Sequence, residues 1–426
     1  MPLTRDASGA LLLGGLTLQT VLLEAGTPSY VYDLDAMAQA ARDLEQAFDS
    51  SAHLVCYAVK ANTAGAIVRT LATQGCGADV VSGGELLVAL SCGVDPDRIV
   101  YSGVAKRDDE IDRAVACGAC GIGAIQIESM EEIARLEARA RAAGRTARVS
   151  VRVNPSVDLT EATHAHIATG HDEAKFGVPL EDAADAVRVV GASPHLSLVG
   201  VGVHAGSQFT SLEPYLASAR ALFELVEGLR AAGACPSLSF VDSGGGFGID
   251  YGEGAGPSPA DFVRAARAEQ KARGLSDLAL YVEPGRSLVA AHGVLLARVI
   301  QSKVTTAARW LMIDAGMNDL VRPALYQARH RVVPLDLDAA DTESVAWRVV
   351  GPVCESSDDF GEHLLPRDVP GAVAILDAGA YGYTMASEYN GRPRPAEVFL
   401  RGGRVAARTG RGTVEAWAAE RAKAGS

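Results

Sequence analysis

The sequence predicts an α/β fold: a closed, TIM-like (β/α)8 barrel followed by a C-terminal antiparallel β-domain. Three observations predict it. From residue 54 onward, apolar strand candidates alternate with amphipathic segments rich in Ala, Leu, Glu and Arg, the pattern of repeated βα units. Nearly every one of those strands ends in a polar residue, where such a barrel carries its chemistry. After residue 290 the helical periodicity gives way to short alternating runs that read as antiparallel strands.

Taken in order, residues 1–30 hold short apolar runs cut by Gly9, Gly14, Gly15 and Gly26, too little to bury a core alone, so they are expected to join the β-domain. The barrel strands are read as LVCYAVK (54–60), ADVVS (78–82), RIVYSG (98–103), AIQIES (124–129), RVSVRVN (148–154), LVGVGVH (198–204), LSFVDSG (238–244) and LALYVEPG (278–285). Between them GELLVALSCG, SMEEIARLEARARAAG and SLEPYLASARALFELVEGLRAAG repeat apolar residues at helical spacing. The strand ends place Lys60, Ser82, Asn154, His204, Asp242 and Glu283 at one mouth. The long segment 154–177, between strands five and six, is expected to be a loop over that mouth. Its His164, His166 and His171 have no carboxylate or thiol at a ligand spacing, which favours a lid over a metal site. GVLLARVI, RWLMIDA, SVAWRVVGP and AVAILDAG supply the later strands. The expected division is a barrel over 31–290 and a β-domain of 1–30 plus 291–426.

A chain of 426 residues with 48% hydrophobic residues has room for two or three domains and a sizeable core. The formal charge of −13 argues against nucleic acid or an anionic membrane as partner, since repulsion would oppose either encounter. The run ALLLGGLTL is broken by glycines and lacks a basic leader, so neither signal peptide nor anchor is expected, and a cytoplasmic location is. Seven cysteines, an odd number without small-scaffold spacing, fit reduced thiols. Cys117 and Cys120 form a lone CxxC with no second pair, so no metal is expected.

The chemistry centres on LVCYAVKAN, where a buried strand runs into Lys60. Low dielectric disfavours the ammonium and favours the nucleophilic amine, the condition for a Schiff-base lysine, although most strand-terminal lysines merely snorkel to water. In DSGGGFGI, Gly244, Gly245 and Gly246 bring backbone N–H groups close to an anion such as phosphate; a plain tight turn would use the same glycines. EPGR at the end of strand eight adds Gly285 beside it. A phosphate cradle across from a reactive lysine suggests pyridoxal 5'-phosphate. Glu283 would then keep the pyridine nitrogen protonated, unless it only pairs with Arg286. His204 would stack on the ring, unless it is an ordinary core histidine.

YAVKAN at 57–62, HAGSQ at 204–208, DSGGGFGI, EPGR, MNDLVRPALY at 317–326, GPVCESSDDF at 351–360 and GAYGYTMASEYNGRPRPAEV at 379–398 together resemble the diaminopimelate decarboxylase family. That family lies in the alanine-racemase-like group of pyridoxal phosphate enzymes, and the match runs from about residue 28 to 400 with its motifs in order. The resemblance implies a homodimer with active sites shared between subunits and an amino-acid substrate. It implies that Lys60 binds the coenzyme covalently, that His204 covers the ring, and that Ser207, Gly244 to Gly246, Gly285, Arg286 and Tyr381 hold the phosphate. Arg286, Arg322 and Tyr326 would take the substrate carboxylate, Tyr381 would border it, Glu355 would take the distal ammonium, and Cys354 from the second subunit would donate a proton. Physically, a substrate with a distal carboxylate and ammonium needs arginine forks and an acid. Arg322 and Glu355 also suit a surface salt bridge, Cys354 a small buried hydrophobe, and Asp79 a cap or a partner for Lys60.

The implied reaction is decarboxylation of meso-2,6-diaminopimelate to L-lysine and CO2, the last step of lysine synthesis. The departures from the family pattern are HAGSQ for HIGSQ, DSGGG for DLGGG, a longer loop before THAHIATG, and Gln327 where an acid is common. They bear on substrate identity more than on reaction type. Rival readings are a decarboxylase of ornithine, arginine or a carboxylated polyamine, for which Arg322 would be an unhelpful charge, a racemase, and a non-catalytic binding module on the same fold.

Overall fold

The eight apolar runs form eight strands that are buried along nearly their whole length, which is why they read as continuous hydrophobic segments. They are β1 (His53–Ala58), β2 (Gly77–Val80), β3 (Ile99–Tyr101), β4 (Ala124–Ile127), β5 (Ala147–Asn154), β6 (Leu196–Val203), β7 (Phe240–Gly245) and β8 (Ala279–Glu283). Each pairs in parallel with its sequence neighbour, β4 joins β5, and β8 returns to β1, so the sheet closes. The computed structural model describes residues 3–157, 175–235, 237–335 and 343–423. The expected lid over 154–177, with His164, His166 and His171, lies mostly outside them.

The connecting helices form where the spacing predicted them, and side chains set their starts. Ser82 accepts a hydrogen bond from the Glu85 N–H to open Gly83–Ser91, and Ser129 does the same from Glu132 for Met130–Ala142. The helix Leu212–Ala231 buries Leu216, Leu222, Phe223, Val226 and Leu229. One boundary differs in a way that matters. β1 ends at Ala58, whose N–H bonds the Pro284 carbonyl, and Lys60 sits in a single 3-10 turn, Val59–Ala61.

The chain divides into two compact units, one of Ala40–Ile249 with Ala255–Ser287, the other of Met1–Gln39, Asp250–Gly254 and Leu288–Ser426. The first holds the barrel. In the second, seven strands run in the order Asp359–Pro366, Ser344–Val350, Arg309–Ile313, Gly293–Val304, Ser29–Asp33, Ala396–Arg401, Arg404–Thr409. The pairings are antiparallel except for Arg309–Ile313 with Ser344–Val350 and Ser29–Asp33 with Ala396–Arg401. The fully buried Ser29–Asp33 lies inside this sheet. The division therefore falls after Gln39, beyond the expected 30, because this strand needs two partners from the far end of the chain. Leu11, Leu13, Leu18, Val21 and Leu22 pack with Val31, Val294, Leu296, Val398 and Leu400 in one core. That contact gives the N-terminal residues the apolar partner they lack in sequence.

Candidate active site

At the C-terminal end of the barrel strands, Lys60 Nζ pairs with Asp79 of β2, and Asp79 also accepts a hydrogen bond from Ser102, just past β3. Asp79 is completely buried, whereas about a third of the Lys60 side chain is exposed, so the amine is tethered and still reachable. Burial pushes the Asp79 carboxyl upward, and its bonds to Lys60 and Ser102 only partly offset this. Glu85, which accepts the Val81 N–H, is pushed up to about 7 by burial.

Across the barrel, His204 Nδ1 lies 3.1 Å from Glu283 Oε2. Burial alone would raise the Glu283 carboxyl, but the His204 bond and charge, with Lys60 and Arg152, bring it down to about 2. Glu283 is therefore ionised, and the proton between the two belongs to His204 Nδ1. The Gly245 N–H also lies 3.3 Å from that nitrogen. Arg152 of β5 donates to Glu128 at 3.0 Å and to the His204 carbonyl at 3.1 Å, fixing the backbone that carries the ring. Neither Glu283 nor Arg286 spends its charge on the other by a direct ion pair: Glu283 faces His204, and Arg286 donates to Ser207 Oγ at 3.0 Å.

The glycine run has a packing reason of its own. A Cβ on Gly245 would lie 2.0 Å from the Glu283 carbonyl oxygen, and one on Gly246 would lie 2.3 Å from that of Gly206. Gly246 also has φ +89°, a left-handed backbone that only glycine adopts freely. The same close approach leaves the turn bare of side chains beside Ser207 and Arg286.

In the second unit, Arg322 is buried rather than on the surface. Its Nη1 donates to Tyr251 Oη at 3.1 Å and to His330 Nε2 at 2.7 Å, while His330 Nδ1 donates to the Leu376 carbonyl at 2.8 Å. Arg322 opens the short helix Arg322–Tyr326, which Gln327 ends in a left-handed conformation. Cys354 is exposed, not a buried hydrophobe, and its thiol donates to Asn390 Oδ1 at 3.0 Å. Exposed Glu355 accepts from Tyr389 Oη at 2.6 Å. Tyr381 is half-buried with φ +56°.

The barrel thus brings together Lys60, His204, Ser207, Gly244 to Gly246, Glu283, Gly285 and Arg286, while Arg322, Tyr326, Cys354, Glu355 and Tyr381 belong to the β-unit. Sequence reasoning missed Ser102, Arg152 with Glu128, and the Tyr251 and His330 partners of Arg322. An arginine two residues before the end of a strand whose alternate positions are valine was the signal available for Arg152. Among the described residues, no group of three or more His, Cys, Asp or Glu is placed to hold a metal.

The donor set fits pyridoxal phosphate. A reachable amine, an ionised buried carboxylate, and a side-chain-free turn beside a serine and an arginine match the coenzyme's aldehyde, ring nitrogen and phosphate. Glu283 Oε2, which meets His204 at the mouth, is the oxygen that could take the ring nitrogen, while Oε1 is buried without a hydrogen-bond donor.

Residues 34–290 match the model of the pyridoxal-dependent decarboxylases, pyridoxal binding domain. The diaminopimelate decarboxylase of Zymomonas mobilis is 40% identical over 96% of this chain and 96% of its own. Crystal structures of diaminopimelate decarboxylase complexed with L-lysine are similar throughout. The one from Helicobacter pylori is 36% identical with TM-score 0.88, covering 96% of this chain and 100% of its own. The one from M. jannaschii is 34% identical with TM-score 0.90, covering 98% and 97%.

Proposed function

The chain belongs to the diaminopimelate decarboxylase family of pyridoxal-dependent enzymes, and from that premise we propose that it converts meso-2,6-diaminopimelate to L-lysine and CO2, with the residues above in the following roles. The carrying observation is the barrel mouth itself: Lys60 tethered by buried Asp79, opposite an ionised Glu283 and a bare glycine turn.

Lys60, tethered by Asp79, would hold the coenzyme through its aldehyde, and Asp79 would receive the amine whenever it is free. Glu283, ionised throughout the physiological range, would keep a proton on the ring nitrogen. His204, anchored through its Nδ1 and its carbonyl, would cover the ring. Ser207, Gly244 to Gly246, Gly285 and Arg286 would hold the phosphate, with Tyr381 as a further candidate. When bound, the coenzyme accepts the electron pair left behind as the carboxylate departs.

Arg286, Arg322 and Tyr326 orient the substrate through its distal carboxylate, and Glu355 takes the distal ammonium. Arg322 suits the task because Tyr251 and His330 fix its guanidinium in place. The carbon that loses CO2 must gain one proton, which the Cys354 thiol of the second subunit donates. The working form is a homodimer with shared active sites. Seven free cysteines support a reducing cytoplasmic setting.

The test is purified protein with pyridoxal phosphate and meso-diaminopimelate, scored for lysine beside ornithine as competitor. Lysine formation with no putrescine is expected; turnover of ornithine alone would reject the assignment.

A further inference from the structure

The barrel mouth contains one carboxyl more than its hydrogen-bonding partners account for. Asp79 has Lys60 and Ser102, Glu128 has Arg152, and Glu283 has the Nδ1–H of His204. Asp242 of β7 is completely buried, and among the described residues no ion pair reaches it. Its Oδ1 accepts the Gly244 N–H at 2.9 Å, while Oδ2 has no donor. Glu283 Oε1, on the neighbouring strand, is buried without a donor as well, and the two carboxyls are within hydrogen-bonding reach. Two ionised carboxylates cannot share such a position; one of them must carry a hydrogen.

The surroundings decide which. Glu283 faces His204, Lys60 and Arg152, all of which favour its charge. Asp242 faces Glu283 and Asp79, with Cys56 of β1, Tyr281 of β8 and the Ser243-bonded Tyr215 nearby, and none of these groups favours a charge on it. Burial and Glu283 accordingly hold the Asp242 carboxyl well above the usual range. Gly202 on β6 makes the room: a Cβ there would come within 2.9 Å of the Asp242 Cβ.

We propose that Asp242 is a positioning residue whose neutral carboxyl donates a hydrogen bond to Glu283 Oε1. Its Oδ1 is fixed by the Gly244 N–H, so Oδ2 has one direction in which to donate. Glu283 is thereby held from behind, and its charge is left on Oε2, which faces His204 and the mouth. This rests on the assignment of Glu283 to the coenzyme's ring nitrogen. It adds that the geometry of that contact depends on a hydrogen Asp242 keeps at neutral pH. It also ties the phosphate turn to the ring site, since one side chain grips both Gly244 and Glu283.

Asp242→Asn keeps a donor at the same place and Asp242→Ala removes it. Infrared difference spectra of the apoproteins at neutral pH are expected to show a protonated-carboxyl carbonyl band in the wild type that Asp242→Asn lacks. Asp242→Ala is expected to lower coenzyme affinity and kcat about 10- to 100-fold, with Asp242→Asn clearly closer to wild type. Absence of that band difference, or equal impairment of both variants, would overturn the proposal. The infrared comparison uses no coenzyme and so judges Asp242 independently. Failure of the wild type to take up pyridoxal phosphate would instead count against the functional assignment.

Discussion

Lys60 shows how much one side chain owes to its neighbours. In the sequence it is a lysine after an apolar strand; in the fold its amine is held by a carboxylate that is itself completely buried and hydrogen-bonded to Ser102. Lys60→Ala should abolish decarboxylation while circular dichroism stays that of the wild type, because the side chain contributes chemistry and little packing. Substantial turnover by that variant would end the covalent role. Glu85 makes a prediction of a different kind. Its carboxyl lies near 7 in the fold against 4.5 in an open chain, so the folded state binds its proton more tightly. Both states are protonated at low pH. As pH rises from 4.5 through 7 the unfolded chain ionises first and stability falls, by on the order of 3 kcal/mol in all. Glu85→Gln, which can still accept the Val81 N–H, should flatten that slope in urea melts between pH 5 and pH 8. Parallel wild-type and variant profiles would mean Glu85 is ionised in the fold.

At the scale of elements, the turn that closes β7 is governed by how near β6 and β8 come to it. Gly245→Ala would drive a methyl group into the Glu283 carbonyl, so it should cost about 3 kcal/mol or more, visible as a lower urea midpoint and poor soluble yield. A variant of unchanged stability would show that the backbone can retreat. Ser82 shows that a polar residue at a strand end also has a local use. It follows the second barrel strand, and its side chain serves as the N-cap of Gly83–Ser91. The eight barrel strands were legible because burial on both faces leaves unbroken apolar runs, a signal that needs no knowledge of partners. Which residues bond Arg322 was not legible, since Tyr251 and His330 are brought to it only by folding.

At the scale of the whole molecule, the proposal is a homodimer in which Cys354 would serve the other subunit's site. Inactive Lys60→Ala and Cys354→Ala proteins, unfolded and refolded together, should recover about a quarter of wild-type activity, because about half the dimers are hybrids with one intact site of two. No recovery at any mixing ratio would exclude sharing. The β-unit shows why chain order misleads at this scale. Ser29–Asp33 precedes the whole barrel, yet it pairs with Gly293–Val304 and Ala396–Arg401, so the unit's central sheet cannot form until both ends of the chain meet.

The sequence by itself determined the strand and helix periodicity, the glycine turn, the lysine at the end of the first barrel strand and the family motifs, because each is local or is carried by residue types whose chemistry admits few uses. Tertiary structure alone decided the protonation of the mouth. Glu283 is ionised and Asp242 neutral, although both are acids at the ends of adjacent barrel strands, because one faces His204, Lys60 and Arg152 while the other faces carboxylates. Charge in a buried site is set by distances between residues far apart in the chain, and no spacing along the sequence encodes those distances.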